Sequence, residues 1–277
     1  MTPAGAAVGR LLVCPTPIGN LEDVTLRVLA GLRDADVVAC EDTRHTRVLL
    51  DRHGIRTPLL SVHEHNERAR AAEVARRVRS GEVVALVSDA GTPLVSDPGF
   101  AVVRACLAAR LAVEVLPGPS AVVTALVASG LPVERWRFTG FLPRRRSELE
   151  ELLSDSQETL VAFESPRRLA ATLELLAAAE PGRSAAVCRE LTKLHEEVRR
   201  GTVSELAEHY RENPARGEVV LVLGAAGAPR AQLSQALAEL RKIVAAGAKA
   251  RPAAGAVARL TGHAANELYR ELMREGQ

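Results

Sequence analysis

Aromatic residues make up only 3% of this 277-residue chain. That is too few for a platform of stacked rings on which RNA bases could lie, as they do on an RRM sheet. Lysine is scarcer still. Lys193, Lys242 and Lys249 are the only three, and arginine supplies the rest of the 36 basic residues. Arginine binds phosphate bidentately and stacks on bases, but alanine is abundant as well, so biased codon usage is the plainer source of the arginine. A net charge of +2 gives no whole-molecule field that would draw in a polyanion. No apolar run approaches the roughly 18 residues needed to span a bilayer. Residues 1–9 lack a basic segment followed by an apolar core, so no secretory signal is expected. The four cysteines, Cys14, Cys40, Cys106 and Cys188, are scattered and form no C-x-x-C pair. A zinc ribbon and a disulfide framework are thereby excluded, and the thiols read as buried and free, as in a cytoplasmic protein. G-x-G-x-x-G, the P-loop, G-x-S-x-G and H-E-x-x-H are all missing, which removes the dinucleotide fingerprint, the P-loop NTPases, the α/β-hydrolases and the zincins. No metal site is expected.

Hydrophobic residues at 47% and charged residues at 25% are ordinary for a soluble globular enzyme, and the length favours two domains. The first half alternates apolar strand-like runs (residues 11–14, 37–40, 59–62, 83–87 and 113–116) with amphipathic helical segments (24–33, 43–53, 66–80 and 98–110). This βαβα order predicts a mostly parallel sheet. Gly54 and Gly81 stand where helices should end. Pro117-Gly118-Pro119-Ser120 interrupts the pattern before a helix over 120–129, and a domain junction is placed there. Strands are then expected at 137–141, 159–163, 185–189, 197–200 and 218–223. Their closer, hairpin-like spacing predicts a mixed sheet. Ser147 with Glu150 and Thr202 with Glu205 read as capping boxes. Residues 230–277 carry no strand signal and read as three short helices broken at Gly247, near Pro252 and at Gly262. The expected division is 9–118, 119–226 and a helical extension over 230–277.

The densest signal is the loop over residues 87–99, Val-Ser-Asp-Ala-Gly-Thr-Pro-Leu-Val-Ser-Asp-Pro-Gly, which follows a strand. It is too long and too rich in glycine, proline and small polar residues for a simple turn, and it sits where α/β sheets present ligand loops. Other polar clusters also follow strands: Cys40 to Arg44, His63 to Glu67, Glu164 to Arg168, and Arg189 to Lys193. Any one of them has a plain structural account, such as Asp42 or Thr43, or Asn66, capping a helix, as Ser120 would after the Pro-Gly-Pro turn. Together they outline a cleft between two domains. Pro143-Arg144-Arg145-Arg146 and Arg199-Arg200 are local basic spots that could meet phosphate beside such a cleft.

These residues resemble a family. Pro15-Thr16-Pro17-Ile18-Gly19-Asn20, Glu41-Asp42-Thr43-Arg44, His63-Glu64-His65-Asn66-Glu67, Ser88-Asp89-Ala90-Gly91-Thr92-Pro93, Pro117-Gly118-Pro119-Ser120-Ala121, Ser129-Gly130-Leu131-Pro132, Gly140-Phe141-Leu142-Pro143, Glu164-Ser165-Pro166 and Arg189-Glu190-Leu191-Thr192-Lys193 occur in the order found in the small-subunit ribosomal RNA methyltransferases of the tetrapyrrole methylase superfamily. The chain departs from that pattern at Val62, where tyrosine is common, and at Arg167, where histidine is common. The resemblance implies two α/β domains of the tetrapyrrole methylase (class III) type with S-adenosylmethionine (SAM) in the cleft between them, and a homodimer. It implies SAM contacts from Pro15, Ser88, Asp89, Ala90, Gly91, Pro93, Val95, Ser96, Asp97, Ser120, Ala121, Phe163 and Leu191. It also implies 2′-O-methylation of cytidine 1402 in 16S rRNA of the small ribosomal subunit, with RNA near Arg44, His63, Glu64, Arg144, Arg145 and Lys193 and at the helical extension. A 2′-hydroxyl must lose a proton as it is methylated. Glu41, Asp42, His63, Glu64, Glu164 and Lys193 are the candidates to assist, and a carboxylate among Glu41, Asp42 and Glu164 is favoured because each stands at a strand end. Methylation of a small molecule such as a tetrapyrrole intermediate is the alternative activity, and a SAM-binding regulator without catalysis is a third reading.

Overall fold

The computed structural model describes residues 9–154, 157–226, 233–261 and 263–274. Strands β1 (Arg10–Val13), β2 (Val37–Cys40), β3 (Leu59–Ser61), β4 (Val83–Leu86) and β5 (Ala112–Val115) form one sheet in the order β3-β2-β4-β1-β5, and every pairing is parallel. Parallel strands need crossovers, and helices supply them. Helices α1 (Leu26–Asp34) and α2 (Thr43–Arg52) pack with Leu12, Val38 and Ala85 on one face. Helices α3 (Glu67–Arg79) and α4 (Phe100–Ala108) pack with Leu11, Val37, Val84 and Leu86 on the other. Burial on both faces is why these strands read as unbroken apolar runs. Gly54 and Gly81, at φ +63° and +102°, end α2 and α3 as expected.

Helix α5 (Ala121–Ser129) begins the second half, and its Val122, Ala125 and Leu126 pack on the second sheet, against Val161, Ala186 and Val220. That sheet runs β6-β7-β10-β8-β9. It is built from β6 (Trp136–Phe141), β7 (Thr159–Glu164), β8 (Ser184–Arg189), β9 (Glu197–Thr202) and β10 (Val219–Leu223). β6 and β7 are parallel and the other pairings are antiparallel, so the sheet is mixed. Its far face carries α6 (Arg146–Ser154), α7 (Leu169–Ala179) and α8 (Val203–Glu212). Helices α9 (Leu233–Ala245), α10 (Ala250–Thr261) and α11 (Ala265–Arg274) close a small core of their own around Leu237, Leu240, Ala254 and Leu268.

Several local expectations need correction. The Thr202–Glu205 capping box is present, but Ser147 lies inside α6, not before it. The helix begins at Arg146, whose guanidinium pairs with Glu150 at 2.7 Å and takes the carboxylate that a box would need. Pro252 breaks nothing. It occupies the first turn of α10, where a missing N–H has no helical acceptor to lose. Gly247, at φ +98°, does separate α9 from α10. The break expected at Gly262, the start of the extension at 230–232 and the targeting-signal stretch 1–8 lie outside the described residues. All four cysteines are buried and free, and burial pushes the Cys14 and Cys188 thiols up to about 12 and about 11. Among the described residues no helix is long and apolar enough to cross a membrane.

Candidate active site

The loops that follow β1, β4 and β5 meet at the carboxyl edge of the parallel sheet, where ligands bind in open α/β folds. They are laced by hydrogen bonds. Thr16 and Gly91 exchange backbone bonds at 2.8 and 3.0 Å. The buried Thr16 hydroxyl donates to the Ser88 carbonyl at 3.0 Å, and the Ser88 hydroxyl donates to the Gly91 carbonyl at 3.1 Å. Thr92 Oγ1 donates to the Pro119 carbonyl, and Asp89 Oδ1 accepts from the Asp42 N–H. Within this loop Gly91, Leu94, Ser96 and Gly99 all take positive φ, between 66° and 125°. For leucine and serine that conformation is costly, and such strain gathers at functional sites. Glu67 secures the far end of the loop. Its Oε1 accepts from the Gly99 and Ala101 N–H groups at 2.8 and 2.7 Å and so caps α4 from the start of α3. Asn66 makes no side-chain cap to α3; it accepts from the His63 N–H instead.

A cavity of about 420 Å³ opens between this loop and the second sheet. Ala90, Gly91, Val95, Ser96, Asp97, Ser120, Ala121 and Phe163 line it. The other residues singled out for SAM, Pro15, Ser88, Asp89, Pro93 and Leu191, are not part of that lining. Ser88 and Asp89 brace the loop, and Leu191 is in the core beneath α5. Pro15 packs so closely on Gly118 that a Cβ there would collide with its ring. The rear wall is made by Phe141 and by Gly217, Glu218, Val219 and Val220, none of which is among the contacts expected from sequence. Three of the chain's four phenylalanines, Phe138, Phe141 and Phe163, cluster here with ring centroids 5.0 and 5.4 Å apart. In so aromatic-poor a chain, that concentration is the signal that could have drawn attention to β6. Gly217 sits at φ +77°, and a Cβ on it would run into the Glu190 carboxylate, which itself accepts from Lys193 Nζ and the Glu218 N–H, each at 2.9 Å. Gly217→Ala should therefore cost about 1–2 kcal/mol, read as an earlier midpoint in denaturant unfolding.

The three carboxylate candidates have different surroundings. The Glu164 side chain is fully buried and accepts from Ser165 N–H at 2.6 Å, Thr172 Oγ1 at 2.7 Å and Arg168 at 3.2 Å. Asp42 caps α2 by accepting from the Arg44 N–H at 2.8 Å, and that bond holds its carboxyl below the usual range. The Glu41 carboxylate accepts no hydrogen bond among the described residues. Burial first, then the charge of Asp89, pushes its pKa up, partly offset by His63. Of the residues considered for RNA, Arg44, Glu64, Arg144 and Arg145 are exposed and His63 is half-buried. Lys193 is drawn away to Glu190 and Glu218.

Asp97 is the most perturbed acid of the cavity. Burial, then Glu41 and Asp89, push it up to about 6; a Ser88 hydrogen bond opposes this and Glu218 adds to it. The charges that raise Asp97 are carboxylates, and among the described residues no Arg, Lys or His lines the cavity. SAM fits that deficit. Its sulfonium and ammonium groups are cationic, the apolar and aromatic walls suit a flat base, and the α5 N-terminus at Ser120 suits a carboxylate.

The family model of tetrapyrrole (corrin/porphyrin) methylases matches residues 10–207. The ribosomal RNA small subunit methyltransferase I of Mesorhizobium japonicum is 46% identical, over 98% of this chain and 94% of that protein. The uroporphyrin-III-C-methyltransferase of Thermus thermophilus is 27% identical, with a TM-score of 0.55 over 78% of this chain and 94% of that one. Another structure of uroporphyrin-III C-methyl transferase from Thermus thermophilus, complexed with S-adenyl homocysteine, is 21% identical, with a TM-score of 0.55 over 78% and 97% of the two chains.

Proposed function

The chain belongs to the family of tetrapyrrole (corrin/porphyrin) methylases, and from that premise we propose that it methylates the 2′-oxygen of cytidine 1402 in 16S rRNA of the small ribosomal subunit. It is a SAM-dependent methyltransferase. The observation that carries the RNA reading is the 46% identity, along nearly the whole of both chains, to a protein named as a small-subunit ribosomal RNA methyltransferase. Exposed arginines at Arg44, Arg144 and Arg145 are in keeping with a polyanionic substrate. In this reading residues 9–118 and 119–226 are the two domains, 230–277 is an RNA-contacting extension, and the enzyme works in the cytoplasm as a homodimer. The packing of α5 on the second sheet supports a boundary just before it.

Bound SAM supplies a methyl group already activated on a sulfonium. The loop over 88–97 and the rear wall at 217–220 would hold the donor and exclude water around it. Asp97 sets the negative potential that favours a cation. Glu41 takes the proton of the 2′-hydroxyl as the oxygen becomes a nucleophile, and positioning supplies much of the remaining rate. The test is transfer of labelled methyl from SAM to small subunits lacking this modification, followed by mapping on 16S rRNA. Label on the 2′-oxygen of cytidine 1402 is expected. Label on a tetrapyrrole intermediate and none on subunits would overturn the RNA reading.

Asp97 adds a pH-dependent prediction. Its native pKa of about 6 exceeds the ordinary 3.8. The folded protein therefore holds this proton more tightly than the unfolded chain does, and stability falls as pH rises from about 4 to about 6. A fully enclosed carboxyl with this preference would contribute about 3 kcal/mol, and the partial exposure of Asp97 reduces that to about 1 kcal/mol. Asp97→Asn should thus stabilise the protein at pH 8 and leave it unchanged near pH 4, as measured by denaturant unfolding. SAM affinity should show the reverse dependence. Wild type should lose up to about tenfold per pH unit below about 6, while the variant binds more weakly at neutral pH and without that slope.

A further inference from the structure

A second pocket, of about 340 Å³, lies beside α8 at the end of β8 and the approach to β10. It is lined by Arg189, Arg199 and Arg216 against a single carboxylate, Glu197. Glu197 accepts from Arg189 Nε at 3.0 Å and Arg199 Nε at 3.2 Å. These bonds hold both guanidiniums by the Nε edge, and the terminal nitrogens of Arg199 keep no partner among the described residues. The Arg216 guanidinium likewise has none there. The same pocket is lined by Tyr210, whose side chain is among the largest fully enclosed ones at 2% exposure. Its hydroxyl is buried without a hydrogen-bond partner among the described residues and lies within electrostatic reach of Glu197, Arg199 and Arg189. A buried hydroxyl left unpaired calls for an explanation. A ligand oxygen would answer it, and the arginines specify that oxygen's charge. Guanidinium forks match phosphate oxygens in geometry as well as sign.

The pocket's position indicates where the phosphate comes from. Arg216 lines this pocket and the adjacent Gly217 lines the methyl-donor cavity. Arg189 pairs in register with Val219, another residue of the cavity wall. One segment therefore separates the two sites. Arg199 and Arg216 are open to solvent, so a chain can pass over them. We propose that this arginine pocket receives a backbone phosphate of the RNA substrate while the target ribose occupies the cavity. The inference rests on the RNA reading given above.

The test compares wild type, Arg199→Ala/Arg216→Ala and Tyr210→Phe in methyl transfer to small subunits, with SAM binding measured alongside. The double variant should raise KM for subunits about tenfold, with kcat and SAM affinity unchanged. The slope of log KM against log salt should fall by about one, as loss of one phosphate contact requires. Tyr210→Phe should raise KM by a smaller factor. Active wild type with unchanged KM and salt slope in the double variant overturns the phosphate assignment alone. If inorganic phosphate also binds wild type but not that variant in calorimetry, the pocket belongs to a free anion. Wild type that labels no RNA at all, yet binds SAM, overturns the RNA reading and this inference with it.

Discussion

Glu41→Gln is expected to slow methyl transfer by about 100-fold or more, while the protein folds and binds SAM at neutral pH as before. Three carboxylates end strands near the cavity, and a general base needs a free lone pair and a pKa close to the working pH. Asp42 spends its carboxylate on the α2 cap, which lowers its basicity. Glu164 spends both oxygens on three donors. Glu41 has neither commitment, and burial and Asp89 raise its proton affinity. Glutamine keeps the volume and removes the basic oxygen. A rate profile should support this assignment: activity falls as Glu41 is protonated, at a pH above its ordinary 4.5. The substitution also removes one of the charges that raise Asp97, so the acid limb of SAM binding should move to lower pH. That shift reads the Glu41–Asp97 coupling independently of turnover. A variant with wild-type turnover would place the base elsewhere.

The parts of this fold that sequence reveals are those where one local pattern has one tertiary meaning. Val37 to Cys40 is apolar at every position, and its strand is buried at every position. The 88–99 loop is legible because its unusual backbone demands unusual residues. Leu94 and Ser96 break that rule, and their positive φ is visible only in three dimensions. The rear wall at Gly217 to Val220 escaped notice because it contributes backbone and apolar surface, which composition does not distinguish from any other strand. Glu41 and Glu164 looked alike for a related reason. Each is an acid at the end of a strand, and the difference lies in what surrounds it. Thr172 of α7 and Arg168 just before it reach Glu164, whereas no hydrogen-bond donor among the described residues reaches Glu41. The role of Glu67 was hidden in the same way, since the N–H groups it caps belong to another helix more than thirty residues away. Ser147 misled in the opposite direction: a good local motif lost to an ion pair that needed only the neighbouring arginine.

Glu164→Gln should leave chemistry available and remove stability, about 3 kcal/mol of it. The Glu164 carboxylate ties three segments. Ser165 continues β7, Thr172 belongs to α7, and Arg168 also donates to the Leu142 and Pro143 carbonyls after β6. An amide offers one acceptor oxygen where two are used, and its NH2 group must face a donor. The half-buried Arg168 then loses its one carboxylate partner among the described residues. For a chain of this size such a loss lowers the unfolding midpoint by about 6–12 °C. Phe141, Ser165 and Pro166 line the cavity beside this knot, so SAM binding should weaken too, and saturating SAM should restore part of the lost midpoint by linkage. At a temperature where the variant is folded and saturated, its turnover should stay within a few-fold of wild type. The pair of glutamine variants thereby separates two acids that share a sequence context: one loses rate at constant stability, the other stability at nearly constant rate. A Glu164→Gln protein that melts with wild type and yet loses turnover as Glu41→Gln does would reverse the assignment and make Glu164 the base.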